Sequence, residues 1–181
     1  CLIFLGSQLV KAPATVPFDS GAIVVSTSGG EVRWTADWTM EPIEREGIRA
    51  VRFTERGQGR LSPFAEAGRW SLESVWSAEN TLQPLESRKT ISAQRGGELV
   101  SERKLFDLSG HKVRFEQQYP DGRLNVQSLS IPPDTLAIEG IAGVLRFLPF
   151  DQAQSFSVHL LSNEPRVYSV TFEMRGTESI K

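Results

Sequence analysis

The 181-residue chain has one cysteine, Cys1, and two histidines, His111 and His159. A single thiol excludes an internal disulfide framework and any cysteine-rich metal site. Neither histidine has a cysteine or carboxylate at ligand spacing, so no metal site is expected. His111 follows Ser109-Gly110 in an expected turn and reads as exposed, and His159, between Val158 and Leu160, reads as outward-facing on a strand. The net charge of −2 leaves no general basic surface of the kind that nucleic acid or an anionic membrane requires. The opening run CLIFLGSQLV is apolar but far shorter than the roughly 20 residues of a membrane-spanning helix.

Catalytic signatures are equally scarce. There is no Gly-x-Ser-x-Gly, and Cys1 has no histidine fixed beside it in sequence. Gly57-Gln58-Gly59 lacks the following helix that would aim amide groups at a phosphate. Glu41, Glu44 and Glu46 cluster around an expected turn over Pro42–Gly47 and read as a solvated loop. No catalytic residue, no metal ligand and no cofactor is assigned, and the chain is not expected to be an enzyme.

What the chain does contain is alternation. Val32, Trp34, Ala36, Trp38 and Met40 alternate with polar residues, a period of two that predicts a strand with one buried face. Further strands are expected at Ala22–Val25, a short β-prone run, and at Ile48–Phe53, Trp70–Trp76, Leu85–Ala93, Leu99–Phe106, Val113–Phe115, Leu124–Ser128, Phe156–Leu160 and Tyr168–Met174. Gly57 and Gly59 are expected to loosen the chain, 61–68 to form a loop, Gly96-Gly97 a hairpin turn, and Pro120-Asp121-Gly122 the sharpest turn. One stretch differs. In Pro132–Pro149, Ile138, Ile141, Leu145 and Leu148 fall on one helical face, with Asp134 as the cap and Gly140 and Gly143 weakening the helix by roughly 1 kcal/mol each.

Strands joined by short turns predict a meander, and a long twisted sheet must curl. The fold class expected is all-β: a strongly curved antiparallel sheet or half-barrel packed against one short helix. Trp34, Trp38, Trp70, Trp76, Phe115, Phe156 and Phe172 fall on the expected inner face. Ordinary core is one reading of them. The other makes Trp34, Trp38, Trp70 and Phe172 the lining of a site for an apolar ligand. Arg88, Lys89, Arg95, Arg103, Lys104, Lys112 and Arg114 lie along three strands, interleaved with Glu86, Glu98, Glu102, Asp107 and Glu116. They read as cross-strand ion pairs on a wet face.

The N-terminus has three readings. Residues 1–14 read as a signal-peptide remnant, with Ala12-Pro13-Ala14 as a small-x-small cleavage site. Alternatively Cys1 is the lipid-bearing residue of a lipoprotein, or the segment is a first strand or cloning remnant. The first two imply export. Residues 15–181 are expected to form a single β domain.

Over roughly residues 66–180, Pro-Pro-Asp-x-Leu at Pro132–Leu136, Leu145-Arg146-Phe147-Leu148-Pro149 and Gly176-Thr177-Glu178 carry a resemblance. The chain resembles a family of exported bacterial β-proteins, a domain of unknown function, whose outline is similar to the lipoprotein-carrier (LolA/LolB-like) curved-sheet fold. The resemblance implies a periplasmic or outer-membrane-associated location and a C-terminus truncated after the last strand. It implies no activity. The expected function is therefore a non-catalytic envelope protein that holds an apolar or lipid-like molecule on the concave face of the sheet. The alternative is a structural or protein-interaction module with an envelope partner. Neither reading involves nucleic acid or a transmembrane span.

Overall fold

The computed structural model describes residues 9–60, 67–93, 97–148 and 155–173, with the backbone alone at Glu98 and Leu99. Eight strands follow one another as an antiparallel meander. They are β1 (Asp19–Ser26), β2 (Val32–Arg45), β3 (Ile48–Gly59), β4 (Gly68–Ala78), β5 (Leu82–Ala93), β6 (Glu98–Asp107), β7 (Lys112–Gln118) and β8 (Leu124–Ser130). The sheet does not close into a barrel, and β1 and β8 are its two edges. A second, three-stranded sheet holds β9 (Thr135–Ala137), β10 (Ser155–Leu161) and β11 (Val167–Glu173). In it β10 is central, parallel to β9 and antiparallel to β11. The one α-helix among the described residues, α1 (Ile141–Val144), runs into a 3-10 turn over Leu145–Phe147. The expected all-β class with one short helix is the observed architecture.

Alternation decides which face each residue takes. In β2, Trp34, Ala36, Trp38 and Met40 point inward, and Thr35, Asp37, Thr39 and Glu41 point outward. Cross-strand register carries this parity across the sheet: Met40, Phe53, Ser74, Ser87, Lys104 and Phe115 form one inner row. The β2–β3 hairpin turns on Glu46 and Gly47 alone, with φ of 53° and 80°. Left-handed values at both positions match the twist of the flanking strands. The expected turn over Pro42–Gly47 is thus shorter than its residues suggested, because Pro42 through Arg45 stay paired in β2. Gly57 and Gly59 also stay in β3. Gly57 is there because a Cβ would overlap the Trp70 ring. The turn at Pro120-Asp121-Gly122 forms as expected, with the Gly122 amide donating to the Tyr119 carbonyl at 2.9 Å.

The helix expected over Pro132–Pro149 is much shorter, and Asp134 does not cap it. Thr135–Ala137 becomes β9 by pairing with His159, Leu160 and Leu161 of β10. Gly140 then turns the chain with φ of 79°, and α1 begins. So short a helical segment has no stability of its own and forms because it docks. Gly143 faces Phe53 and Met40, Leu148 is buried, and Ile141 and Leu145 pack on the same cluster. Ile138 instead donates its amide to the Leu161 carbonyl at 3.0 Å.

The core lies between the two sheets. Met40, Val51, Phe53, Trp76 and Leu82 meet Leu136, Ala137, Val144, Leu148, Phe156 and Val158. Each large apolar side chain buried there contributes about 1.5–3 kcal/mol. Val10, Ala12 and Val16 join the same cluster. Val10 accepts a bond from the Leu82 amide at 2.8 Å, and the Ala12 amide donates to Asn80 at 3.0 Å. Of the segment 1–14, residues 9–14 are therefore built into the fold, and 1–8 lie outside the described residues. So do 61–66 of the expected loop, Arg95 and Gly96, Met174 and the Gly176-Thr177-Glu178 motif.

Candidate functional site: a cleft at the edge of the covered inner face

The second sheet and α1 cover only part of the inner face. Beneath α1 the packing is nearly complete: the space between Met40, Phe53, Trp76, Val144 and Phe147 is 10 Å3, about one water molecule. The next inner row, Trp38, Glu55, Leu72, Lys89, Glu102 and Gln117, emerges at the edge of this cover. A cleft of 280 Å3 opens there. Phe53, Trp70 and Leu72 form its apolar floor. Glu55 and Lys89 stand beside them on the sheet, and Ile138, Glu139, Gly140, Ile141 and Asn163 form the opposite wall.

The floor is fixed by its own contacts. Trp70 Nε1 donates to Glu55 Oε1 at 2.7 Å, and the indole meets Trp34 edge to face at 5.6 Å. Lys89 Nζ donates to Asn163 Oδ1 at 3.0 Å, which ties the β10–β11 loop to β5.

Behind the wall lies a buried ion pair. Lys104 Nζ is 2.5 Å from Glu139 Oε1 and 2.8 Å from the Ser162 carbonyl, and it also stands over the Phe115 ring. Burial pushes the Lys104 ammonium below its ordinary pKa, against the opposing pull of Glu139. Glu102, two residues before Lys104 on the same face of β6, is also buried. Its Oε1 accepts from Gln117 Nε2 at 3.1 Å, while Oε2 has no partner among the described residues. Burial raises its pKa, only partly offset by Lys89 and Lys104.

The four residues expected to line a site do not surround one cavity. Trp70 lines the cleft and Trp34 touches Trp70 from the side. Trp38 is stacked on Phe53 at 5.9 Å, with the Arg146 guanidinium 4.5 Å from its ring and Gly21 against the indole. Arg146 is held in turn by an ion pair with Asp19. Phe172 sits on β11, opposite Phe156, and packs against the core from the second sheet.

Sequence reasoning missed Lys89, Lys104, Glu102 and Glu139 as interior charges. The signal was present: Arg88-Lys89 and Glu102-Arg103-Lys104 alternate faces, so the arginines point outward and Lys89, Glu102 and Lys104 inward. His159, expected to face outward on its strand, has a buried partner. Its Nδ1 lies 2.8 Å from both oxygens of buried Asp134 and ties β10 to the segment before β9. Among the described residues no three potential ligands gather for a metal ion, and no helix is long and apolar enough to cross a membrane.

Comparison with protein-family models, curated proteins and solved structures finds no match. The cleft is therefore read from its own chemistry: an apolar floor beside a charged rim suits a molecule with an apolar body and a polar end.

Proposed function

We propose that this chain is a non-catalytic binding module of the bacterial cell envelope that holds a small lipid-like amphiphile in the inner-face cleft. The observation that carries the reading is the juxtaposition of Phe53, Trp70 and Leu72 with Lys89, Glu55 and Asn163 around one opening. The apolar part of the ligand lies on the tryptophan and leucine, and its polar end meets the rim. The filled space beneath α1 limits the site to the cleft, so the ligand is held at the edge of the cover and not swallowed by the core. Placement in the envelope rests on the sequence resemblance over residues 66–180.

Titration with a single-chain phosphocholine amphiphile below its micelle concentration tests this. Binding followed by calorimetry should saturate in the wild type and be lost in Ala142→Trp, which fills the cleft from the α1 side, where Ala142 lines it. Equal binding by both proteins would place the ligand elsewhere.

A second reading rests on β8. Leu124 and Val126 are exposed on this edge strand, and an open edge invites pairing with another chain. An interaction module of this kind would lose its envelope partner in Val126→Lys while keeping amphiphile binding.

A further inference from the structure

The outer face of the large sheet carries a second depression, larger than the cleft and on the opposite side of the sheet. It has a volume of 570 Å3 and is open to solvent. It spans five consecutive strands, from Ala22 and Val24 on β1 to Thr90 and Ser92 on β5, with Ile23, Ala36, Gly57 and Trp70 of the row between also in its lining. Four strand spacings give it a length of about 19 Å. Small side chains make the hollow, and Arg56 and Arg69 rise from neighbouring strands within it.

Arg56 and Arg69, like the exposed Arg33 and Arg60 at the same end of the sheet, differ from the outward arginines further along it. Arg45, Arg88 and Arg103 all converge on Glu86, Arg52 pairs with Glu41, and Arg114 pairs with Glu116. Arg56 and Arg69 make no ion pair or side-chain hydrogen bond among the described residues, although Asp37 stands opposite Arg56 in register. Among the described residues Asp37, Thr35, Gln58, Ser71, Thr90 and Ser92 likewise keep their side-chain groups free of protein partners. The contrast is local: in the adjacent outer row Thr39 and Thr54 satisfy each other at 2.6 Å. The groove thus presents two planar cationic forks, one carboxylate and a line of hydroxyl and amide groups along an elongated hollow. Guanidinium forks match carboxylate or phosphate oxygens bidentately, and the neutral groups and Asp37 match ligand hydroxyls.

We propose that this groove binds an acidic oligosaccharide, a sugar chain whose carboxylate or phosphate groups engage Arg56 and Arg69 while its hydroxyls bond to Asp37, Gln58, Ser71 and Thr90. The site opens on the opposite face of the sheet from the cleft, and the two share Trp70 in their linings.

The test uses backbone-amide NMR titrations of the full chain with tetragalacturonate, a phosphorylated oligosaccharide, neutral maltotetraose and inorganic phosphate. Either acidic sugar should shift amides of β2–β5 saturably, and maltotetraose and inorganic phosphate should bind at least tenfold more weakly. Arg56→Gln/Arg69→Gln should weaken acidic-sugar binding at least tenfold without lowering the unfolding midpoint, because both side chains are exposed and unpaired. The proposal is overturned if the neutral sugar or inorganic phosphate binds as well as the acidic sugars. It is also overturned if the double variant binds unchanged, or if neither acidic sugar binds at millimolar concentration.

Discussion

Lys104 and Glu139 form an ion pair in which each side chain is only 1% exposed. It joins β6 of the large sheet to the segment between β9 and α1, and through the Ser162 carbonyl to the β10–β11 loop. This one ammonium fixes the wall of the cleft against the sheet. Removing one member of such a pair strands the other charge in the interior, whereas replacing both by apolar groups is often close to neutral. Lys104→Met should therefore cost about 3–5 kcal/mol in urea unfolding, and Lys104→Met/Glu139→Leu should recover most of that loss. Additive losses in the double variant would show that the pair is not coupled.

Glu86 responds to acid in the opposite sense from an ordinary buried carboxyl. Burial alone would raise its pKa, but hydrogen bonds from Arg88, Arg45 and Arg103 outweigh it and hold the value at about 2, against an ordinary 4.5. A depressed folded-state pKa stabilises the fold above the unfolded value and loses that stabilisation as pH falls through the folded one. Glu86→Gln should be less stable than wild type at pH 7, with the gap narrowing between about 4.5 and 2. A gap that stays constant through this range would contradict the three-arginine account.

Glu102 should show the reverse. Its pKa is raised by burial, so its contribution is complete below the ordinary 4.5 and is lost as pH rises through the folded value. Glu102→Gln keeps the shape without the charge. It should unfold at higher denaturant than wild type at neutral pH and at the same denaturant in acid. Loss of stability at neutral pH would mean that the carboxylate is held by the nearby lysines more strongly than burial disfavours it.

Gly140 joins β9 to α1 with φ of 79°, and a Cβ there would lie 3.0 Å from Trp76 Nε1 and 3.2 Å from Ser74 Cβ. Gly140→Ala should cost at least the 1–2 kcal/mol of a left-handed non-glycine residue. Because Gly140 also lines the cleft, amphiphile affinity should fall with it. Chemical denaturation and titration of the same variant check both effects.

The meander was legible because period-two alternation is local: β2 and β4 can be read from their own residues, and short turns leave little choice of neighbour. The cover was less legible. Leu136 and Ala137 read as helix because Ile138, Ile141 and Leu145 have helical spacing, yet their backbone pairs with Leu160 and Leu161 far along the chain. No local pattern reports such a pairing. The same holds for His159, whose partner Asp134 comes from another element. The tryptophans were correctly placed on the inner face, but only three-dimensional packing separates Trp70 in the cleft from Trp38 under Arg146. Lys104 was grouped with the arginines by charge, although its strand parity sends it inward to Glu139.

The most direct test of the cleft reading is native mass spectrometry of the protein purified from its own host, paired with the Ala142→Trp variant purified the same way. The account predicts that wild type carries a lipid-like molecule of defined mass and that the variant carries none. Wild type that emerges empty from its own host, or a variant that carries the same molecule, would contradict it.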